Sequence, residues 1–260
     1  MAIIYFFVAL IATIIGSLAG LGGGIIIKPM LDSLGHYDIT TIGVLSSWTV
    51  FAMAIVSILK QFKNKFSIDL KSTFYIAVGS ILGGVLGQYL LGFIIGQTGE
   101  RLAKFTQSFI LACLLIFIIY YMKHLDQFKH YHIKHPVGCI TIGLILGALS
   151  SFLGIGGGPI NIALLAIFFS MDAKEATVSS IVIILFSQAS SLLSIAVTEG
   201  FGGFDLSMLY FMIPAGIIGG LIGSKLNILA SNQVIIKVFN VVVLFVLMMN
   251  IYNIYSTLFL

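Results

Sequence analysis

Residues 16–29 read Gly16-Ser17-Leu18-Ala19-Gly20-Leu21-Gly22-Gly23-Gly24-Ile25-Ile26-Ile27-Lys28-Pro29, and residues 154–161 repeat the centre of that pattern as Gly154-Ile155-Gly156-Gly157-Gly158-Pro159-Ile160-Asn161. The offset is 134 (154 less 20), and it also pairs Asp38 with Asp172, Val44 with Val178 and Ser46 with Ser180. A second block, Gly83-Gly84-Val85-Leu86-Gly87, matches Gly219-Gly220-Leu221-Ile222-Gly223 at an offset of 136. An insertion of two residues near Gly202 and Gly203 absorbs the difference. Self-similarity at a fixed offset marks a duplicated unit. The chain is therefore read as a first membrane repeat over 1–123, a connector over 124–135 and a second membrane repeat over 136–260.

Everything around the glycine blocks is apolar. Of 260 residues, 59% are hydrophobic and 8% charged, with a mean hydropathy of +1.15. Soluble domains carry roughly 25% charged residues, so a water-soluble globule is excluded. Apolar stretches run at about 2–20, 24–34, 40–59, 72–95 and 104–122, and again at 136–153, 159–170, 176–198, 206–224 and 234–257. This predicts an all-α polytopic membrane protein of about 8–10 membrane helices, with the lipid bilayer as its first partner. The N-terminus has no Lys or Arg before Lys28 and lacks the basic start of a secretory signal, so it is read as a retained first segment. The net charge of +4 sits in short segments beside apolar runs, which speaks for membrane orientation and against nucleic acid. Cys113 and Cys139 lack CxxC or His spacing, so neither a disulfide framework nor a metal site is indicated.

Lysines near membrane ends favour the cytoplasm. Lys60, Lys63, Lys65 and Lys71 flank one loop, whereas its counterpart over 199–205 has no basic residue, so the two loops are expected on opposite sides. Lys123, Lys129 and Lys134 make the connector cytoplasmic, and Lys225 and Lys237 place the last inter-segment loop there too. The result is a pair of inverted repeats with both termini outside, a known transporter pattern. Arg101 and Lys104 disagree, because they fall on the outer side. Parity between the connector and residue 199 requires the stretches flanking Gly154–Gly158 to double back. The second arm, about 12 residues or roughly 18 Å, is too short to cross and favours a re-entrant hairpin.

Irregular backbone at membrane depth persists where protein or a water-filled cavity satisfies it. Helix starts after the glycine bends would offer free N–H groups and positive dipole ends, which attract anions. Gly22, Gly23, Gly24, Gly156, Gly157 and Gly158 are therefore candidate substrate-binding positions. Gly79, Gly83, Gly87, Gly216, Gly219, Gly220 and Gly223, spaced three or four apart, are read as helix-packing positions instead. Lys28 either offers a cation to an anionic substrate or snorkels to the near surface. Asn161 either donates to a substrate oxygen or caps its neighbour. Ser46, Ser47, Thr49, Ser179 and Ser180 either line the path or bond their own backbone. A soluble phosphate loop is a poor match, since no strand precedes the glycines and no Lys-Ser pair follows.

The acidic residues all fall at segment ends or in loops, which disfavours a buried acid relay or a carboxylate-ringed cation channel. His124, His130, His132 and His135 read as a solvated linker, and His36 sits near Asp32 and Asp38. Paired catalytic groups are absent at depth, so no enzyme and no cofactor is expected.

The double motif, Gly16 to Gly24 and Gly147-Ala-Leu-Ser-Ser-Phe-Leu-Gly-Ile-Gly-Gly-Gly-Pro159, resembles the sulfite exporter TauE/SafE family, also called the 4-toluene sulfonate uptake permease family. The resemblance covers essentially the whole chain. It implies a bacterial inner-membrane permease for sulfur-containing anions such as sulfite, sulfoacetate or other organosulfonates. One departure is internal: Pro159 follows the second loop, Ile25 the first. The expected function is secondary transport of a small anion, driven by a coupling ion such as a proton or sodium or by the substrate's own gradient, with a homo-oligomer left open. The alternatives are a non-transporting membrane scaffold or accessory subunit, or a transporter of another small ion.

Overall fold

The computed structural model describes residues 2–62, 70–123, 131–133, 135–155 and 157–259, and all regular structure among them is helical. In chain order these are α1 (Ala2–Ala19), α2 (Gly24–Leu34), α3 (Ile39–Phe62), α4 (Leu70–Lys123), α5 (Pro136–Leu153), α6 (Gly158–Phe169), α7 (Ala173–Thr198), α8 (Leu209–Leu229) and α9 (Asn232–Phe259). Seven are long and apolar enough to cross a membrane. The exceptions are α2, with 11 residues, and α6, with 12. At 1.5 Å per residue each covers little more than half of a core about 30 Å thick, so neither crosses alone.

The longest helix is two limbs. α4 has 54 residues, and Gly99 interrupts it with φ 79° and ψ 168°, a backbone that glycine adopts without a Cβ clash. A straight helix would set residues 87 and 107 about 30 Å apart. Both meet Phe152, however. A Cβ on Gly87 would lie 2.9 Å from its nitrogen, and Gln107 Nε2 donates to its carbonyl. The chain therefore reverses at Gly99, and the stretches 72–95 and 104–122 correspond to one limb each.

The short helices double back on the long ones before them. Tyr5, early in α1, shares a 3.1 Å hydrogen bond with Nδ1 of His36, just past the end of α2. Ahead of α5, the Tyr131 and Ile133 amides donate to the Ile167 and Phe168 carbonyls at the end of α6, at 2.8 and 2.9 Å. These two hairpins have their mouths at opposite ends of α7, which leaves α6 at Ala173 and arrives 26 residues later beside Glu199, on one cavity wall with Thr40 and Glu100.

The repeats interlock through the glycine stripes. Gly83 and Gly87 seat the first limb of α4 on α5, where an added Cβ would lie 2.1 Å from the Leu144 carbonyl oxygen and 2.3 Å from that of Ala148. Gly219 and Gly223 seat α8 on α1 in the same way, 2.9 Å from the Leu10 oxygen and 2.2 Å from the Ile14 oxygen. Small residues at such crossings let backbones approach closely in lipid, where no hydrophobic drive joins helices. Each repeat thus grips the first helix of the other.

The aligned aspartates have a local task. Asp38 Oδ1 accepts from the Thr41 amide at 2.7 Å ahead of α3, and Asp172 Oδ1 accepts from the Glu175 amide at 2.9 Å ahead of α7, so both cap helix starts. Partial burial pushes the Asp38 carboxyl up, but hydrogen bonds from Thr40 and Thr41 outweigh it and hold the group below its ordinary range. Lys63, Lys65, His124, Lys129, His130 and Lys134, used above for orientation and the linker, lie outside the described residues.

Candidate functional site

The two glycine corners press on each other at the centre of the molecule. A Cβ on Gly24 would lie 2.8 Å from the Ile155 carbonyl oxygen, and one on Gly158 would lie 2.1 Å from that of Leu21. Leu21 and Ile155 are fully buried. In this conformation the helix starts therefore close on each other and not on a void. Several first-corner amides are also spent locally: Leu21 and Gly22 donate to the Gly16 carbonyl, and Gly24 to that of Gly22. Gly22 lies against Ile184, Gly23 against Ala12 and Thr13, and Gly157 against Ser150 and Asn161. Gly156 lies outside the described residues.

The other polar candidates divide. Asn161 is fully buried and donates from Nδ2 to Ser180 Oγ at 3.3 Å, and Ser180 in turn donates to the Gly20 carbonyl at 2.7 Å. That chain ties α6 to the first corner through α7. Ser179 pairs with Thr73 at 3.4 Å, Thr49 bonds the Leu45 carbonyl of its own helix, and Ser46 packs behind Gly24. Ser47 and Lys28, in contrast, stand on the wall of a cavity of about 320 Å³.

This cavity enters from the end that carries Glu100 and Glu199 and reaches Ser47, Ser151, Gly154 and Lys28, so both repeats contribute to it. Lys28 is 4% exposed, which sets aside snorkelling. Its Nζ donates to Gln107 Oε1 and to the Leu153 carbonyl, both at 2.7 Å. Leu153 ends α5, and a cation is favoured at the carbonyl end of a helix. Ser151 Oγ, on the same wall, has no hydrogen-bond partner among the described residues. The charged group at this cavity is therefore a side chain, with an unpartnered hydroxyl on the same wall. Gln107 and Ser151 were not singled out from the sequence, although each is a polar residue inside an apolar stretch, the signal that marked Lys28 and Asn161. Among the described residues, no group of three or more His, Cys, Asp or Glu is placed to hold a metal ion.

Residues from both halves of the chain thus line one small cavity with a buried cation on its wall. The family model described as Sulfite exporter TauE/SafE matches residues 5–250. The chain belongs to the TauE/SafE family. Its relatives include the probable membrane transporter protein MJ0441 of Methanocaldococcus jannaschii, 30% identical over 243 residues that cover 87% of this chain and 85% of the relative. The probable membrane transporter protein YunE of Bacillus subtilis is 25% identical over 260 residues, covering 91% of this chain and 92% of its own. No solved structure matches the chain. With seven long apolar helices among its described residues, this TauE/SafE chain is a multi-pass member of a membrane transporter family, not an enzyme.

Proposed function

We propose that this chain is a secondary transporter of small sulfur-containing anions, sulfite or organosulfonates, in the bacterial cytoplasmic membrane. The observation that carries the reading is the Lys28 ammonium on the wall of a cavity of about 320 Å³, hydrogen-bonded directly to two neutral acceptors. A cation held by neutral groups keeps its attraction for an anion, and in a low-dielectric site that attraction is strong. Ser47 and Ser151 add hydroxyl donors, and the glycine corners form the barrier beneath. Hairpins with mouths at opposite ends of α7 support repeats inverted across the bilayer, with access alternating as one moves against the other. A proton or sodium gradient, or the substrate's own gradient, supplies the energy.

The test is flux of radiolabelled sulfite into proteoliposomes. Wild-type protein is expected to exceed empty vesicles, and Lys28→Met to lose roughly tenfold or more, the worth of one charge-assisted hydrogen bond. Absence of flux for sulfite and every organosulfonate tried overturns the proposed substrate class.

A further inference from the structure

We infer that Lys104 and Gln107, neighbours on one face of the second limb of α4, act as positioning residues that keep the charge of Lys28 available to an anion. The inference rests on the reading of the Lys28 cavity as the anion site. Asp32 is the threat to that charge. It lies one helical turn beyond Lys28 on α2 and is 8% exposed. Residues four apart on a helix face one another, so an unopposed Asp32 would neutralise Lys28. Lys104 opposes it: its Nζ stands 3.7 Å from Asp32 Oδ1 and also donates to the Asp32 backbone carbonyl at 3.3 Å. With all three ionised, two cations and one carboxylate give the cluster a formal charge of +1.

Gln107 completes the arrangement with a neutral acceptor. It is 3% exposed. Its Nε2 donates to the Phe152 carbonyl, which turns Oε1 toward Lys28 Nζ. A glutamate in that place would accept the same bond from Lys28 but cancel its charge, and would lose the donor to Phe152. The ammonium has three donors, of which Gln107 and Leu153 take two. The third remains for a ligand in the cavity that the unpartnered Ser151 also lines. The cluster is specific to one copy, because the repeat-equivalent residues of Lys28, Asp32, Lys104 and Gln107 are Ile162, Ala166, Asn240 and Val243, none of them charged.

The experiment uses the full chain, with two readouts: KM and Vmax for sulfite flux in proteoliposomes, and thermal stabilisation of the detergent-solubilised protein by sulfite, sulfate, thiosulfate and methanesulfonate. Lys104→Gln is expected to raise KM by roughly three- to tenfold with Vmax within about twofold, from the change in nearby charge. Lys104→Arg retains wild-type KM. Adding Asp32→Asn to Lys104→Gln restores it, whereas a purely structural role for Lys104 makes the double variant no better than the single one. Gln107→Glu abolishes stabilisation by every anion. A wild type that moves no sulfite but is stabilised by another anion of the panel overturns the substrate reading, and the inference is then judged by stabilisation across the same variants. It is overturned if no anion stabilises the wild type, if Lys104→Gln matches the wild type, or if Asp32→Asn fails to restore it.

Discussion

The half-helices α2 and α6 occupy equivalent places in the two repeats and carry opposite chemistry. Where α2 has Ile27-Lys28, α6 has Asn161-Ile162. Both reach across to the carbonyl end of the helix that precedes the other's corner. Lys28 does so directly, at the Leu153 oxygen, and Asn161 does so through Ser180, which bonds the Gly20 oxygen. The cavities beside them differ accordingly. The one at Lys28 ends in a cation and hydroxyls, whereas a cavity of about 260 Å³ beside α6, lined by Ile162, Asp172, Thr177, Asn232 and Phe239, lies at the repeat-equivalent place and is largely apolar apart from Asp172 at the start of α7. The two half-helices thus flank cavities at matching places in the sequence pattern, and a difference at two adjacent positions puts a charge beside one of them.

The largest effect is expected where the corners touch. Gly158→Ala would place its Cβ 2.1 Å from a backbone oxygen that has no free rotor to give way, whereas Gly24→Ala meets its counterpart at 2.8 Å. The first should cost about 3 kcal/mol or more, and the second about 1–2 kcal/mol, within the range for overpacked sites. Unfolding in detergent, compared with Gly43→Ala, which meets nothing within 4 Å, measures both. Equal losses for the two corners would mean that they relax as one unit and that the closer approach at Gly158 carries no extra weight.

A smaller effect tests whether charge at a half-helix needs its surroundings. Ile162→Lys would copy Lys28 into the second repeat, where neither an acceptor like Gln107 nor a carboxylate like Asp32 stands at the equivalent place. Ile162 is 6% exposed, so the new cation is desolvated unless it reaches Asp172 on the same cavity wall, at a cost of about 2.5 kcal/mol. Stability unchanged within error would show that the second vestibule already holds enough water to solvate an ammonium, and the contrast between the cavities would shrink.

Much of this arrangement was legible in the sequence because it depends on period and composition. The ten apolar stretches, the shortness of the arms after the glycines, and the packing role of Gly83, Gly87, Gly219 and Gly223 all follow from residue spacing. What stayed hidden depends on contacts between distant segments. Gln107 looked like any polar residue in a long apolar run until the reversal at Gly99 brought it to Lys28, 79 residues away. Lys104 counted against the orientation rule as a basic residue on the outer side. Its nitrogen stands 3.7 Å from the buried Asp32 carboxylate, a distant partner that a rule based on loop charge does not weigh. Asp32 itself was placed at a segment end by sequence and lies there, two residues from the end of α2, yet it is buried against the neighbouring limb.

The smallest expected effect is also the one that separates the two half-helices most finely. Asn161 makes one long side-chain hydrogen bond, 3.3 Å to Ser180, while its Oδ1 is buried with no partner among the described residues. Asn161→Leu removes the bond and the unsatisfied oxygen together, and these terms oppose each other: roughly 1 kcal/mol is lost with the bond, and a comparable desolvation penalty is relieved. Ser180 keeps its donation to Gly20 in either case. The net change in unfolding free energy should therefore lie within about 1 kcal/mol, far below the loss expected from truncating Lys28's partners, which would strand a buried charge. A loss of several kcal/mol instead would mean that the Asn161 oxygen is satisfied by water in the membrane-embedded protein. The second corner would then be hydrated after all, and its apolar contrast with the first would have to be redrawn around that water.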